Sequence, residues 1–404
     1  MNKILKIKIH TFFIFLLIFM PKINLISIDK FYQGIRFEDI LILFYSLYIL
    51  KSYSNNRIII WNKFFQFKYW IIILYLFSLS IFFALINDVK NIWIMIVRAA
   101  EYAIIIIYIN NHIEKFQAYI NIFKSYIIIN FIIVILQYYK LIGSFSSLGY
   151  LNPNEILNLR SFGISGGSWE IGVLINLSFL ILLSCLKNKY EIFFYAFLSG
   201  IIIIMANGRA NILAFAIILI YLIFCTKHFL KLKNIIIFLL VFLIFEVISY
   251  YFFDNENNDY FKSYFKYYNN QLNDIFFIVN NTYNLIVNNT VPSIDEATSD
   301  RVYSYVYRLI HWQAIFDVFK INNYHYIIGA GSPYLYTESV LIRIITSLGL
   351  LGALIIICGI KNVKILLLLI FFTMGFTLDM FVSMKIFIFT LVFMKINHIN
   401  KSIK

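Results

Sequence analysis

The chain has 404 residues, of which 61% are hydrophobic and only 13% charged, and its mean hydropathy is +0.81. A soluble domain averages about 45–50% apolar and about 25% charged residues, so the composition excludes a soluble globular protein and predicts an integral membrane protein. The net charge of +14 does not indicate nucleic-acid binding, because the basic residues form short clusters between apolar runs, as they do at the ends of membrane spans.

Apolar runs recur along the whole chain. A helix needs about 20 mostly apolar residues to cross a bilayer, and about twelve runs meet or nearly meet that length. The first run follows a basic start without a small-residue cleavage site, so we predict an uncleaved first helix. We expect an all-α polytopic membrane protein with a single membrane domain over residues 1–404. The runs lie at residues 9–27, 36–51, 69–86, 91–110, 118–138, 170–187, 190–206, 210–226, 233–252, 337–359, 363–377 and 380–395.

Lysine and arginine are concentrated in alternate connections between these runs. Such a bias marks the cytoplasmic side of a membrane protein. It predicts that both termini are cytoplasmic and that two long loops, residues 139–169 and 253–336, lie outside the cytoplasm. Loops of this length in a compact protein are usually functional or disordered.

The second long loop contains two helical patterns. Apolar residues recur at spacings of three and four, which predicts an amphipathic helix that lies on the membrane surface or covers a site. A second helix is expected from about Arg301 to Lys320. The apolar residues of the first pattern are Phe265, Tyr268, Leu272, Phe276, Val279, Tyr283 and Ile286.

Charged residues within the apolar runs require a partner or a function, because a charge at the bilayer centre costs about 2.5–3.5 kcal/mol on insertion scales. Arg98 and Glu101 are three residues apart in the fourth run, so they lie on one helix face. They form a structural ion pair or line a polar cavity. Arg209 occupies the tight turn between the seventh and eighth runs, at the outer surface, where an arginine can also simply extend its side chain to the interface.

The region after the second long loop concentrates polar groups. Arg301 and Arg308 are seven residues apart, which places them on one helix face. His311 and Trp312 flank that face, which is alternatively a solvated surface with Trp312 at the bilayer interface. Glu338 falls in the first turn of the tenth run, where the helix dipole favours a carboxylate.

Cysteine and histidine spacings indicate no metal site. The three cysteines have no CxxC spacing, and the six histidines form no HxxH or HExxH pair. We therefore expect neither a zinc site nor a disulfide framework.

Several motifs follow one another in a distinctive order. An acidic residue begins the second run ("RFEDILILFYSLYIL"), an arginine lies in the fourth, and a glycine-rich loop opens the sixth ("RSFGISGGSWEIGVLINL"). After the turn at Arg209, the second long loop ends in Arg-x-x-x-Trp, Gly-x-Gly, an acidic–Ser pair and "LGLLG". This order resembles the O-antigen polymerase (Wzy-type) family of the O-antigen polymerase and ligase superfamily. The resemblance covers nearly the whole chain in topology and is most specific over residues 308–352.

The resemblance implies a GT-C-like, metal-independent glycosyltransferase without a cofactor, in the bacterial cytoplasmic membrane. It implies a polymerase that joins oligosaccharide repeat units carried on undecaprenyl diphosphate, at the outer membrane face. Guanidinium groups suit this donor because they bind phosphate bidentately and stay charged. The candidate residues are Arg209, Arg308 and Arg301 for the diphosphate, Glu338 or alternatively His311 as general base, and Arg98, Glu101, Arg160 and Trp312 as cavity lining.

Two alternatives remain open at the sequence level. The ligase branch is similar, although ligases typically carry a histidine where this chain has Glu338. A polysaccharide flippase or other transporter also fits many spans with buried charges, but transporters often show paired halves, whereas here the polar residues gather in the outer loops. The expected partners are lipid-linked repeat units, a chain-length regulator and a flippase, and no nucleic acid.

Overall fold

The computed structural model shows a mostly helical chain. The structure describes residues 3–21, 24–27, 34–55, 92–112, 116–146, 149–153, 160–225, 271–293, 300–321, 323–329, 339, 341–342, 345, 349–354, 365–375 and 383–402.

The described helices are α1 (Lys3–Phe19), α2 (Phe37–Asn55), α3 (Ile92–His112), α4 (Phe116–Tyr138), α5 (Ser168–Cys185), α6 (Lys189–Ala206), α7 (Arg209–Cys225), α8 (Gln271–Asn288), α9 (Asp300–Ile321), α10 (Tyr324–Ile328), α11 (Ile365–Gly375) and α12 (Met384–Ser402). Two short antiparallel hairpins accompany them, β1 (Asn24–Ser27) with β2 (Gly34–Arg36), and β3 (Ser144–Ser146) with β4 (Gly149–Leu151).

Seven predicted runs coincide with helices to within a few residues, namely those of α2 to α7 and α11. The run predicted at 380–395 is displaced, because α12 covers Met384–Ser402. Three described helices are long and apolar enough to cross a membrane, Tyr119–Tyr138, Ser168–Cys185 and Lys189–Ala206. A topology of about twelve spans stays a prediction. The runs at 69–86 and 233–252 lie outside the described residues, as does most of 337–359.

The predicted first run is wrong at its carboxyl end. It was expected to continue to residue 27, but α1 ends at Phe19 and residues 24–27 form strand β1. Pro21 supplies the reason, because a proline disfavours helical geometry in the residue before it. Its missing N–H also prevents it from continuing the helix. The apolar residues that follow, Leu25 and Ile26, extended the hydropathy run without extending the helix.

The chain divides into two compact units. The first contains Met1–Ile220, Ser339–Leu341 and Leu354–Lys404, and the second contains Tyr221–Glu338 and Ile342–Ala353. In the first unit, α5 packs against α4, α6 and α12, and its middle is completely buried. A helix that is apolar on all sides, as α5 is, belongs in the interior of a bundle.

Contacts between helix termini show that α4, α5, α6 and α7, which follow one another along the chain, alternate in direction. At one end, which we name the loop end, α1, α4 and α6 finish while α5, α7 and α12 begin. At the other end, Lys124 of α4 forms an ion pair of 2.8 Å with Glu191 at the start of α6. Alternation is what the predicted topology requires of these helices. The contacts that define the loop end are Lys385 with the carbonyl of Met20, Ser161 with Met205, Trp169 with Asn211, and Ser383 with Glu170.

In the second unit, α8 packs against α9. Both helices were expected from the sequence, and α9 runs within one residue of the predicted bounds at each end. The predicted apolar stripe of α8 does not face α9, however. Phe276 and Ile286 are 72% and 70% exposed, while Leu285 is buried against α9. The periodicity identified the helix correctly, but α9 packs against the neighbouring face.

Candidate functional site

The glycine-rich loop, defined here as residues 161–167, is held by polar side chains of α4. Asn130 and Gln137 are about two turns apart on that helix and face the same side. The N–H groups of Phe162 and Gly163 donate to Oε1 of Gln137 at 2.9 and 2.7 Å. Nε2 of Gln137 in turn donates to the Gly163 carbonyl at 3.0 Å.

Asn130 completes this attachment about two turns earlier on α4. Its Oδ1 accepts from the N–H of Ile164 at 2.9 Å, and its Nδ2 donates to the Tyr126 carbonyl at 2.8 Å. Asn130 and Gln137 are both buried. Buried backbone groups that lack secondary structure need such partners, so the two side chains make one loop conformation strongly preferred. Sequence analysis missed both residues, although polar side chains at this spacing in an apolar run are a recognisable signal.

The start of α7 lies beside the glycine-rich loop. Helix α6 ends at Ala206, and the next residue, Asn207, has a left-handed backbone with φ of 49°. Helix α7 begins two residues after Asn207, at Arg209. The N–H of Ser161 donates to the Met205 carbonyl at 3.2 Å. Nδ2 of Asn211 donates to the Trp169 carbonyl at 3.1 Å. The backbone of Arg209 is therefore next to both ends of the loop.

Two arginines thus belong to the loop end. Arg160 immediately precedes the glycine-rich loop and its side chain is exposed. Arg209 is the first residue of α7, which has no acidic residue in its first turn; its side chain lies outside the described residues. A helix start carries a partial positive charge and favours anions. Two arginine backbones beside such a start suit a phosphate ligand.

Four charged side chains meet under the loop end, and we name them the ion network: Arg36, Glu38, Glu170 and Lys385. Each is almost completely buried. Arg36 and Glu38 form an ion pair of 3.4 Å, and Lys385 interacts electrostatically with both carboxylates. Removing one partner of a buried pair leaves an uncompensated charge and costs about 3–5 kcal/mol.

Sequence analysis did not assign these four residues to one site. Arg36 and Glu38 belong to the quoted acidic segment, and Glu170 to the quoted glycine-rich segment, but Lys385 was not singled out. A charge within an apolar run was the available signal. The electrostatic interactions of Lys385 with Glu170 and Glu38 connect segments that are far apart in sequence.

The other buried acid of the first unit that the sequence singled out is Glu101. It is 5% exposed in α3, and Arg98 lies one turn before it on the same helix. The Arg98 side chain lies outside the described residues. An ion pair between Arg98 and Glu101 and a polar cavity lined by both therefore stay the two alternative predictions.

The candidate residues of the second unit cluster on α9. Trp312 is 2% exposed and packs with Leu285, Tyr305 and Leu309, which together form what we name the α9 cluster. The alternative interpretation, which placed Trp312 at the bilayer interface, does not agree with its burial against Leu285 of α8. That burial leaves little of Trp312 to line a cavity, and packing is its observed contribution.

Arg308 and His311 lie on α9 and are partly exposed. The ring of His311 contacts the ring of Tyr307, with centroids 4.9 Å apart. Burial raises the pKa of Tyr305, while its hydrogen bond with Thr282 and the charge of Arg308 offset part of that rise. The positive charge of Arg308 thus acts on the Tyr305 hydroxyl in the α9 cluster. Arg301 lies in the first turn of α9, and its side chain is outside the described residues.

Glu338 itself lies outside the described residues, but a residue near it in sequence contacts the α9 region. Ile342, four residues further on, packs against the α9 cluster. Gly349 of the "LGLLG" motif has φ of +61°, and a Cβ there would lie 2.5 Å from the carbonyl oxygen of Ile327 and from the nitrogen of Gly329. The Gly-x-Gly and "LGLLG" motifs, which are about 20 residues apart in sequence, therefore meet through their backbones.

The candidate residues fall into two groups. Arg160 and Arg209 belong to the first unit, and Arg301, Arg308 and His311 belong to the second. Among these side chains, Arg160 is exposed, and Arg308 and His311 are partly exposed. Compared with protein-family models, with curated proteins and with solved structures, the chain matches none.

Proposed function

We propose that this protein is a polysaccharide polymerase of the bacterial cytoplasmic membrane, with both termini cytoplasmic, which joins oligosaccharide repeat units carried on undecaprenyl diphosphate at the outer membrane face. The observation that carries the proposal is the arrangement of Arg160 and Arg209 around the glycine-rich loop. Their backbones flank a helix start and a loop whose conformation is set by buried hydrogen bonds. Preorganised positive groups of this kind stabilise charge that develops during a reaction.

The leaving group of the proposed reaction is a lipid diphosphate. When the acceptor hydroxyl attacks the anomeric carbon, the carbon–oxygen bond to the diphosphate breaks and the electron pair leaves with the phosphate oxygen. Arg209 and Arg160 of the first unit are proposed to hold that diphosphate at the membrane surface. Arg308 and Arg301 of the second unit are proposed as phosphate ligands on the sequence resemblance alone. Guanidinium groups suit this role because their planar fork matches phosphate geometry.

The hydroxyl proton requires a base. We propose Glu338 for this role, because it lies seven residues after Gly331 of the Gly-x-Gly motif, whose backbone meets that of Gly349. His311 is the alternative, since its ring lies on the same α9 surface as Arg308. A positioned general base typically contributes about 10²–10⁴-fold to a rate.

One observation favours a second candidate. The ion network places four buried charges inside the helix bundle, and charges in a membrane interior often mark the pathway of a transported ion or substrate. A flippase for lipid-linked oligosaccharides is therefore the competing proposal. A ligase, which transfers finished chains to a lipid acceptor, is the third.

Deletion of the gene separates the three candidates. Loss of the polymerase is expected to leave surface glycolipid with a single repeat unit and no ladder of longer chains on a gel. Loss of a ligase would leave no repeat units attached, and loss of a flippase would retain lipid-linked units inside the cell. A deletion strain that still shows a complete ladder, with the length distribution of the wild type, would contradict the proposal.

A further inference from the structure

Glu170 connects the glycine-rich loop to the ion network. It lies in the first turn of α5 and is 0% exposed. Its Oε2 accepts from the N–H of Gly166 at 2.8 Å, and its Oε1 accepts from Oγ of Ser383, which directly precedes α12. One carboxylate therefore joins the loop to a helix more than 200 residues further along the chain.

A buried cation, Lys385, lies two residues after Ser383, the hydroxyl donor to Glu170. Lys385 is 2% exposed, and Glu170 and Glu38 are the negative charges that act on it electrostatically. Its Nζ donates to the carbonyl of Met20 at the end of α1. A buried carboxylate and a buried ammonium group each lose water on burial, and a nearby opposite charge offsets part of that cost.

Glu38 extends this network to the β1–β2 hairpin. Its Oε1 pairs with Arg36 at 3.4 Å. Its Oε2 is buried and has no hydrogen-bond partner among the residues that the structure describes. The network thus contains two positive and two negative charges. Removal of one of these charges leaves an excess of the opposite sign beneath the glycine-rich loop.

We propose that Glu170 is a positioning residue for the glycine-rich loop, and that Lys385 supports it by supplying the counter-charge. The loop carries Arg160 at one end and leads into Trp169 at the other. Glu170 thereby sets the place at which both residues meet an anionic, lipid-linked ligand. The ligand part rests on the proposed function, whereas the control of loop conformation does not.

Loop conformation can be measured with a cysteine reporter at Ser165, which is completely buried. Cysteine is close to serine in size, and the full-length protein carrying Ser165→Cys in detergent is treated with a maleimide. Peptide mapping distinguishes the reporter from Cys185, Cys225 and Cys358. We expect slow labelling in the parent protein and roughly tenfold faster labelling after Glu170→Gln or Lys385→Met, because the loop opens more often. The double variant, in which the two charges are removed together, is expected to label at an intermediate rate.

Glu191→Gln is the matched control. Glu191 also pairs with a lysine, Lys124, but at the opposite end of the bundle and partly exposed, so labelling at Ser165→Cys is expected to stay at the parent rate. If Glu170→Gln fails to insert, Ser383→Ala removes only one of the two donors to Glu170 and serves in its place. Parent-like labelling of an inserted Glu170→Gln or Ser383→Ala protein would overturn the proposal.

Chain extension from an undecaprenyl-diphosphate-linked repeat unit supplies the second readout. Glu170→Gln is expected to raise KM more than it lowers kcat, because Arg160 beside the glycine-rich loop is misplaced while the proposed base, Glu338, is unchanged. A merely structural role would instead reduce the amount of active protein and leave KM unchanged. If the parent protein shows no extension while the labelling result holds, the proposed function fails and the loop assignment stands.

Discussion

Replacing Arg209 by alanine is expected to abolish chain extension while the protein still inserts into the membrane. Arg209 begins α7 beside the glycine-rich loop, so its loss removes a guanidinium group from the first residue of that helix. The loss of one preorganised donor to a developing charge costs about 10²–10³-fold in rate. Arg308→Ala is expected to have an effect of the same order, because Arg308 is the proposed phosphate ligand from α9.

Lysine variants make this prediction specific. Arg209→Lys and Arg308→Lys keep the charge but replace a planar fork with a point charge, so they are expected to restore little extension. Lys187→Ala is the matched control, since Lys187 is an exposed cation in the connection between α5 and α6, away from the loop end. Glycolipid ladders at equal protein levels provide the measurement. Wild-type ladders from both alanine variants would reduce the two arginines to residues that only extend to the membrane surface.

Replacing Gly163 by alanine is expected to destabilise the glycine-rich loop. Gly163 has φ of +58°, and a Cβ there would lie 2.4 Å from Oδ1 of Asn130. Asn130 cannot easily move away, because its side chain already bonds to Ile164 and to Tyr126. The backbone strain alone costs about 1–3 kcal/mol, and the steric conflict adds to it. We expect a lower unfolding midpoint in detergent and a short or absent ladder.

Gly200→Ala provides the control for this substitution. Gly200 lies within α6, and a Cβ there would lie 3.3 Å from the edge of the Phe215 ring. Alanine is preferred over glycine in a helix interior by about 1 kcal/mol, so stability is expected to remain or rise slightly. Equal unfolding midpoints for Gly163→Ala and Gly200→Ala would show that the loop conformation is not constrained as described.

Hydropathy predicted the helices of the first unit well, because each helix is a nearly continuous apolar run between polar termini. It did not predict where α1 ends. Pro21 stops the helix, whereas the apolar residues beyond it continue in strand β1. Hydropathy alone cannot distinguish a helix that continues to residue 27 from one that stops before Pro21. The proline has to be given more weight than the apolar residues around it.

The sequence alone did not predict which side chains far apart along the chain lie close together in the fold. Glu170 and Lys385 each resembled an isolated charge at the edge of a span, and nothing in the local pattern indicates that one compensates the other. The same limit explains Trp312, whose position beside polar residues suggested an interface residue, although α8 buries it. Spacing placed Arg301 and Arg308 together on α9 correctly, because it depends only on helix geometry.

Reconstitution tests the proposed polymerase most directly. Purified protein in liposomes receives undecaprenyl-diphosphate-linked repeat units as the only glycan substrate, and the products are separated by length. The proposal predicts chains of two and more units, with one undecaprenyl diphosphate released for each new glycosidic bond, and no extension by the Arg209→Ala protein. Movement of the lipid-linked unit across the bilayer without any new bond, or transfer only to an added lipid acceptor, would contradict it.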